Sequence, residues 1–193
     1  MSNTSATGGF LQPQASPAPL DDSALVDFLQ SMVAGITGLS GSVIFPRWQP
    51  EPPNMPAFGT NWAAIGITNR KPDTFASVQH VSSPTPYDIV KRQEELTLLV
   101  TFYGPKAETN CGIFRDGLQL PQNREVMNQY GLAVIETGDP VTAPELVKDR
   151  WLYRVDIQFR VRHQIVRNYA IEDLASAQIT INNELYTETI NVP

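Results

Sequence analysis

The stretch Arg150–Val166, RWLYRVDIQFRVRHQIV, constrains this chain more than any other part of it. At a spacing of two, Trp151, Tyr153, Val155, Ile157, Phe159 and Val161 share one side. Arg150, Leu152, Arg154, Asp156, Gln158, Arg160 and Arg162 share the other. Successive side chains of a strand point to opposite faces, so alternation of this length predicts a long β-strand with one face in a core. The arginine side must meet water, nucleic acid or another protein surface.

Other strands and helices follow from the same kind of pattern. NWAAIGITNR and RQEELTLLVTFYG predict two more strands, the second with Leu96, Leu98, Val100 and Phe102 on one face. The link between them, residues 71–91, is long for a hairpin and predicts a protruding flap or interaction arm with a short strand at Ser77–Val81. DDSALVDFLQSMVAGITGL predicts a first helix, capped by Asp21 or Asp22 and closed by Gly38 and Gly41. Leu25, Phe28, Leu29, Met32 and Ile36 fall on its apolar face. KAETNCGIFRDGLQLP and QNREVMNQYG predict two shorter helices separated by Pro121, with Pro105 in the first turn. LAVIETG predicts a strand, APELVKDR a turn or single helical turn, YAIEDLAS a brief helix, and the C-terminal run a hairpin around Asn182-Asn183. The order argues an α+β fold, an antiparallel sheet with helices packed on one face.

Two segments resist this scheme. Residues 1–19 are rich in Ser, Thr, Gly, Gln, Ala and Pro and bury too little apolar surface to offset ordering entropy. They read as a flexible N-terminal extension, or one ordered only on a neighbouring chain, ahead of a single domain at 20–193. Pro46–Pro56 carries five prolines in eleven residues, which forbids helix interior and central strand. Trp48 in that connector is a large apolar group that the first helix or an adjacent subunit is expected to cover.

The inventory for catalysis is thin. The chain has two histidines, His80 and His163, and one cysteine, Cys111. Cys111 reads as a buried helix residue and His163 as a satisfied edge histidine. No phosphate loop, dinucleotide fingerprint or metal-ligand spacing occurs, so no catalytic, cofactor or metal residue is assigned and an enzyme is not expected. A single cysteine excludes an intrachain disulfide, and no apolar run is long enough to span a membrane.

Charge is more informative. The net charge is −6, which argues against a nucleic-acid binder held by bulk charge. Five arginines against one acid lie between Arg150 and Arg167, whereas residues 170–193 hold Glu172, Asp173, Glu184 and Glu188 and no lysine or arginine. Segments of opposite sign pair within a sheet or between copies, and arginine's planar fork suits carboxylates. Trp48, Arg154, Arg160, Arg162, Glu184 and Glu188 are therefore the candidate subunit or partner contacts. The arginines are expected to pair with Glu172, Asp173, Glu184, Glu188 or a neighbour's carboxylates.

In order along the chain, FPRWQPEPPNMPAFGTNWAAIGIT, YDIVKRQEELTLLVTFYGPKAE, GLQLPQNREVM, DRWLYRVDIQFRVRHQIVR and a short acidic C-terminal hairpin resemble the tailed-bacteriophage neck or tail terminator (tail-completion) family. The resemblance covers about residues 22–193. It implies a terminator-like α+β fold without enzymatic activity, in a structural virion protein made in the bacterial host cytoplasm. It further implies a homohexameric ring at the neck or top of the tail. Such a ring caps the tail tube, receives the sheath in contractile phages, and joins head-side adaptor, stopper or collar proteins, with DNA only passing through its lumen. The residues alone also permit a non-enzymatic binding module whose flap and arginine face hold a peptide or small anionic ligand.

Overall fold

The computed structural model describes residues 3, 5–14, 20–51, 53–173, 177–182 and 187–192, the last two ranges as backbone only. The first helix, α1 (Asp22–Thr37), ends at Gly38, whose left-handed backbone (φ 73°) sends its N–H to Ala34 O. Leu25, Leu29, Met32 and Val33 are buried, with Phe28 and Ile36 partly so, which is the face expected from the sequence. β1 (Ile44–Pro46) runs parallel to β2 (Trp62–Pro72). β3 is Ser77–Val81, as the spacing predicts, and pairs antiparallel with the first residues of β4 (Tyr87–Tyr103). β2 pairs with the rest of β4, with a bulge between Ile67 and Asn69.

Two helices follow, α2 (Ala107–Gly117) and α3 (Pro121–Gln129), the second opened by Pro121 at its first turn, where a missing N–H removes no bond. β5 (Leu132–Thr137) and β6 (Val141–Thr142) both pair with β9 (Arg154–Ala170). The sheet order is β1-β2-β4-β9-β5, with β3 beside β4 and β6 beside β9, seven strands in all. β7 (Glu145–Val147) and β8 (Arg150–Leu152) form a separate hairpin, and β10 (Ala177–Asn182) and β11 (Thr187–Val192) another. The fold class is α+β. By contact density the chain forms two compact units, one of residues 19–76 and 92–165, the other of residues 1–18, 77–91 and 166–193.

The core belongs to the first unit. Ala63 and Ile65 of β2, Leu96, Leu98, Val100 and Phe102 of β4, and Val155, Ile157, Phe159 and Val161 of β9 present one sheet face to α1, α2 and α3. Phe114 of α2 is wholly buried between Phe102 and Phe159, with ring centroids 5.7 and 5.5 Å away. Aromatic rings at these separations add packing beyond the area they bury. Cys111 lies in the same layer, and burial pushes its thiol up to about 11, the inert state expected of it.

Several local expectations are corrected. The strand predicted from Arg150 breaks at Tyr153 into β8 and β9, because Lys148 and Asp149 both take positive φ and turn 145–147 back onto 150–152. APELVKDR is thus a hairpin and not a helical turn. Trp151 is 71% exposed and Tyr153 37%, whereas Leu152 on the arginine side is buried. Residues 169–173 of YAIEDLAS are strand end and coil, and 174–176 lie outside the described residues. The C-terminal hairpin is present, with Asn182 paired to Thr187 rather than in the turn, and Asn183 lies outside the described residues.

His163 is not at an edge. β9 lies between β4 and β5, and the ring is fully buried opposite Leu132. Its Nδ1 donates to Glu94 Oε1 at 2.8 Å, and the same oxygen accepts from Arg70 at 2.9 Å. His163 Nε2 has no partner among the described residues.

Candidate subunit and partner interface

The sheet face opposite the helices carries the candidate contacts. Alternation on β2, β4 and β9 that sends one set of residues into the core necessarily sends the next set to this face. Asp156 organises its centre. Arg154 Nε and Nη2 donate to the two Asp156 oxygens at 3.0 and 2.7 Å, a bidentate pair. Thr101 Oγ, fully buried on β4, donates to Asp156 Oδ1 at 2.6 Å and accepts from the Arg47 guanidinium. Arg154 also reaches Glu145 at 3.4 Å, which ties β7 to the same group. Burial works to raise the Asp156 carboxyl, but the hydrogen bonds from Arg154 and Thr101 outweigh it and hold the group below its ordinary value. The Arg154 guanidinium is raised, chiefly by Asp156.

An aromatic cluster adjoins this network. Trp62 stacks on Tyr103 with centroids 3.8 Å apart and planes 7° apart, and Phe45 meets Trp62 edge-on at 5.7 Å. Arg154 lies 5.9 Å from the Tyr103 centroid and Arg150 5.7 Å from that of Phe58. Burial raises the Tyr103 phenol, which is therefore neutral and leaves its ring to stack. Ala64, Tyr103 and Leu152 are buried here with Phe58, Trp62 and Val147 against them, a second small core on the outer face.

Of the two covers expected for Trp48, the first helix of its own chain is not one: the residue is 69% exposed, on a left-handed backbone (φ 58°) that non-glycine residues rarely adopt. Its ring lies over Gly66, where a Cβ would fall 2.6 Å from Trp48 Cζ3, so only glycine on β2 admits it. On the Pro-rich side Trp48 borders a groove of about 380 Å³ with Phe45, Pro53, Met55 and Trp62. On the other it borders a cavity of about 400 Å³ with Arg47, Arg70, Val26 and Leu29.

The remaining candidates are placed as follows. Arg160 donates to Glu136 and Glu95, its cross-strand neighbours. Arg162 is exposed and makes no ion pair among the described residues. Among the described residues Arg154 pairs with Asp156 and Glu145, and Arg160 with Glu136 and Glu95, which stand one strand away on the same sheet face. The expected pairing with Glu184 and Glu188 falls on side chains outside the described residues. Asp173 instead accepts from His80 and Ser82, and His80 Nδ1 lies 2.6 Å from Asp88. Glu184 lies outside the described residues, and Glu188 is described only as backbone in β11.

Sequence reading missed Arg47, Thr101 and Glu145. One signal was available, the lone acid Asp156 two residues from Arg154, which places both on one strand face. Among the described residues, no group of three or more His, Cys, Asp or Glu side chains is placed to hold a metal ion.

The phage neck terminator protein family model matches residues 23–184, most of the chain, and the chain belongs to that family. The family is one of structural proteins of the phage neck. Comparison with curated proteins gives no match.

Proposed function

We propose that this neck protein assembles as a homohexameric ring at the top of the tail, caps the tail tube and joins it to head-side adaptor, stopper or collar proteins. DNA passes through the lumen, and in contractile phages the sheath meets the same ring. No catalytic step is assigned. The observation that carries the reading beyond the family is Trp48. A tryptophan 69% exposed, locked over Gly66 on a rarely used backbone, is an anchor awaiting a partner. Arg154, Arg160 and Arg162 on the helix-free face, with Glu184 and Glu188, supply the polar surround. Contacts between unlike patches of identical subunits close into rings when the rotation allows.

Negative-stain imaging of assembled particles, with light scattering of the purified chain, tests the reading. Six-fold rings support it, and another subunit number or compact monomers at tail tips overturn it. Trp48→Ala should reduce ring formation by at least about tenfold, the loss of one 1.4 kcal/mol contact per interface, while leaving the melting temperature of the free chain within about 2 °C. A second reading, a binding module for an extended peptide, draws on the groove between Trp48 and Trp62. It predicts peptide-dependent tryptophan quenching by a chain that never forms rings.

A further inference from the structure

β10 and β11 form a two-stranded sheet that pairs with no third strand among the described residues. Their register sets Ala177 opposite Val192, Ile179 opposite Ile190 and Ile181 opposite Glu188, while Gln178 and Thr180 oppose Asn191 and Thr189, so one side is apolar except for Glu188. This is the sequence pattern of a half-buried sheet, and an isolated two-stranded hairpin is at best marginally stable in water. Something must complete it. The hairpin segment, 177–192, carries two acids, Glu184 and Glu188, and no basic residue.

An acceptor of opposite sign exists on the main sheet. β1 covers β2 only as far as Ile65, where Arg47 N donates to Ile65 O at 2.8 Å. From Gly66 to Pro72 the outer edge of β2 has no strand beside it among the described residues. Arg47, Arg70 and Trp48 line the cavity along that edge, and Arg47 Nε is buried without a partner there. The bulge at Thr68 together with Lys71 and Pro72 guards such an edge against indiscriminate pairing. A hairpin with acids and no basic residue is a partner for which the guarding cations become attractive.

We propose that the C-terminal hairpin of one copy docks as added strands along the Gly66–Pro72 edge of β2 in the neighbouring copy. Donor and acceptor are different patches of one chain, as a head-to-tail ring requires. The inference rests on the ring reading and names the segment that closes each interface.

The test is amide hydrogen exchange on the full chain, dilute and assembled, and with a synthetic peptide of residues 176–193 added in trans. Exchange across residues 66–72 should slow at least about tenfold in rings and with the peptide. Lys71→Glu, at an exposed site checked for native circular dichroism, should abolish the peptide effect, and a peptide carrying Glu188→Lys should restore it. Rings whose residues 66–72 exchange at the dilute rate overturn the inference and leave the ring reading intact. Peptide protection without rings at any concentration or on tail tips does the reverse. Neither protection nor rings refutes both.

Discussion

Replacing Asp156 by alanine should expose how the helix-free face is held. The carboxylate accepts two bonds from Arg154 and one from Thr101, and Thr101 in turn accepts from Arg47. Its removal leaves Arg154 with Glu145 alone and the buried Thr101 hydroxyl, which still accepts from Arg47, without the acceptor for its own proton. Hydrogen bonds to charged groups are each worth about 1.5–3 kcal/mol. The Asp156 side chain is 18% exposed and the Arg154 side chain 26%, and Arg154 keeps Glu145, so screening and the remaining partner take the loss below the sum of three such bonds. A loss of roughly 2–4 kcal/mol follows, which in a chain of this size lowers Tm by about 4–16 °C. The pH dependence has a definite sign. Asp156 has a lowered pKa in the folded state, so its contribution is complete above the unfolded value of about 3.9 and disappears as pH falls through the folded value. Urea denaturation of both proteins at pH 7 and at steps below pH 4 measures it. A difference under about 0.5 kcal/mol at pH 7, or one that persists undiminished at the lowest pH where both fold, refutes the argument.

Three further outcomes follow from single residues. Glu94→Gln should destabilise the chain by about 1–3 kcal/mol in calorimetry, because the buried His163 and the partly exposed Arg70 guanidinium exchange a carboxylate for a neutral amide oxygen. Cys111 should resist thiol reagents at pH 8 in the native protein and react fully on denaturation, since its thiol is buried and raised to about 11. His80 should titrate above 6.5 by NMR, first through Asp88 and then through Asp173, and Asp88→Asn should bring the midpoint down. The link those aspartates make is thus complete below 6.5 and weakens as pH rises through the folded value.

Alternation and capping made much of the fold legible along the chain. The buried side of β4 is Leu96, Leu98, Val100 and Phe102, and that of α1 includes Leu25, Leu29 and Met32. β3 occupies Ser77–Val81, read from its short apolar and polar alternation inside a Pro-bounded link. These succeed because the side-chain period is a local property of strand and helix, set by backbone geometry alone. The strand break at Tyr153 was not legible, since it depends on a turn at Lys148-Asp149 that uses positive φ without glycine. The turn itself was among the readings of APELVKDR, and Asp149 suits a left-handed position, but the hairpin of 145–147 on 150–152 that it closes was not.

For the contact surface the division is sharper. Sequence alone determined the family, the poverty of catalytic groups, and the concentration of arginines on one strand face against acids near the C-terminus. Tertiary structure decided which carboxylates those arginines meet. Asp156 neighbours Arg154 on its own strand, but Glu95 lies 65 residues from Arg160 and Thr101 lies 55 from Asp156. It also decided that Trp48 stands exposed over Gly66 and that β2 runs on past the end of β1. Strand order and register bring such residues together, and both are chosen by burial of the opposite, apolar face. The polar face inherits its neighbours from that choice, so its pairings cannot be read from charge pattern along the chain.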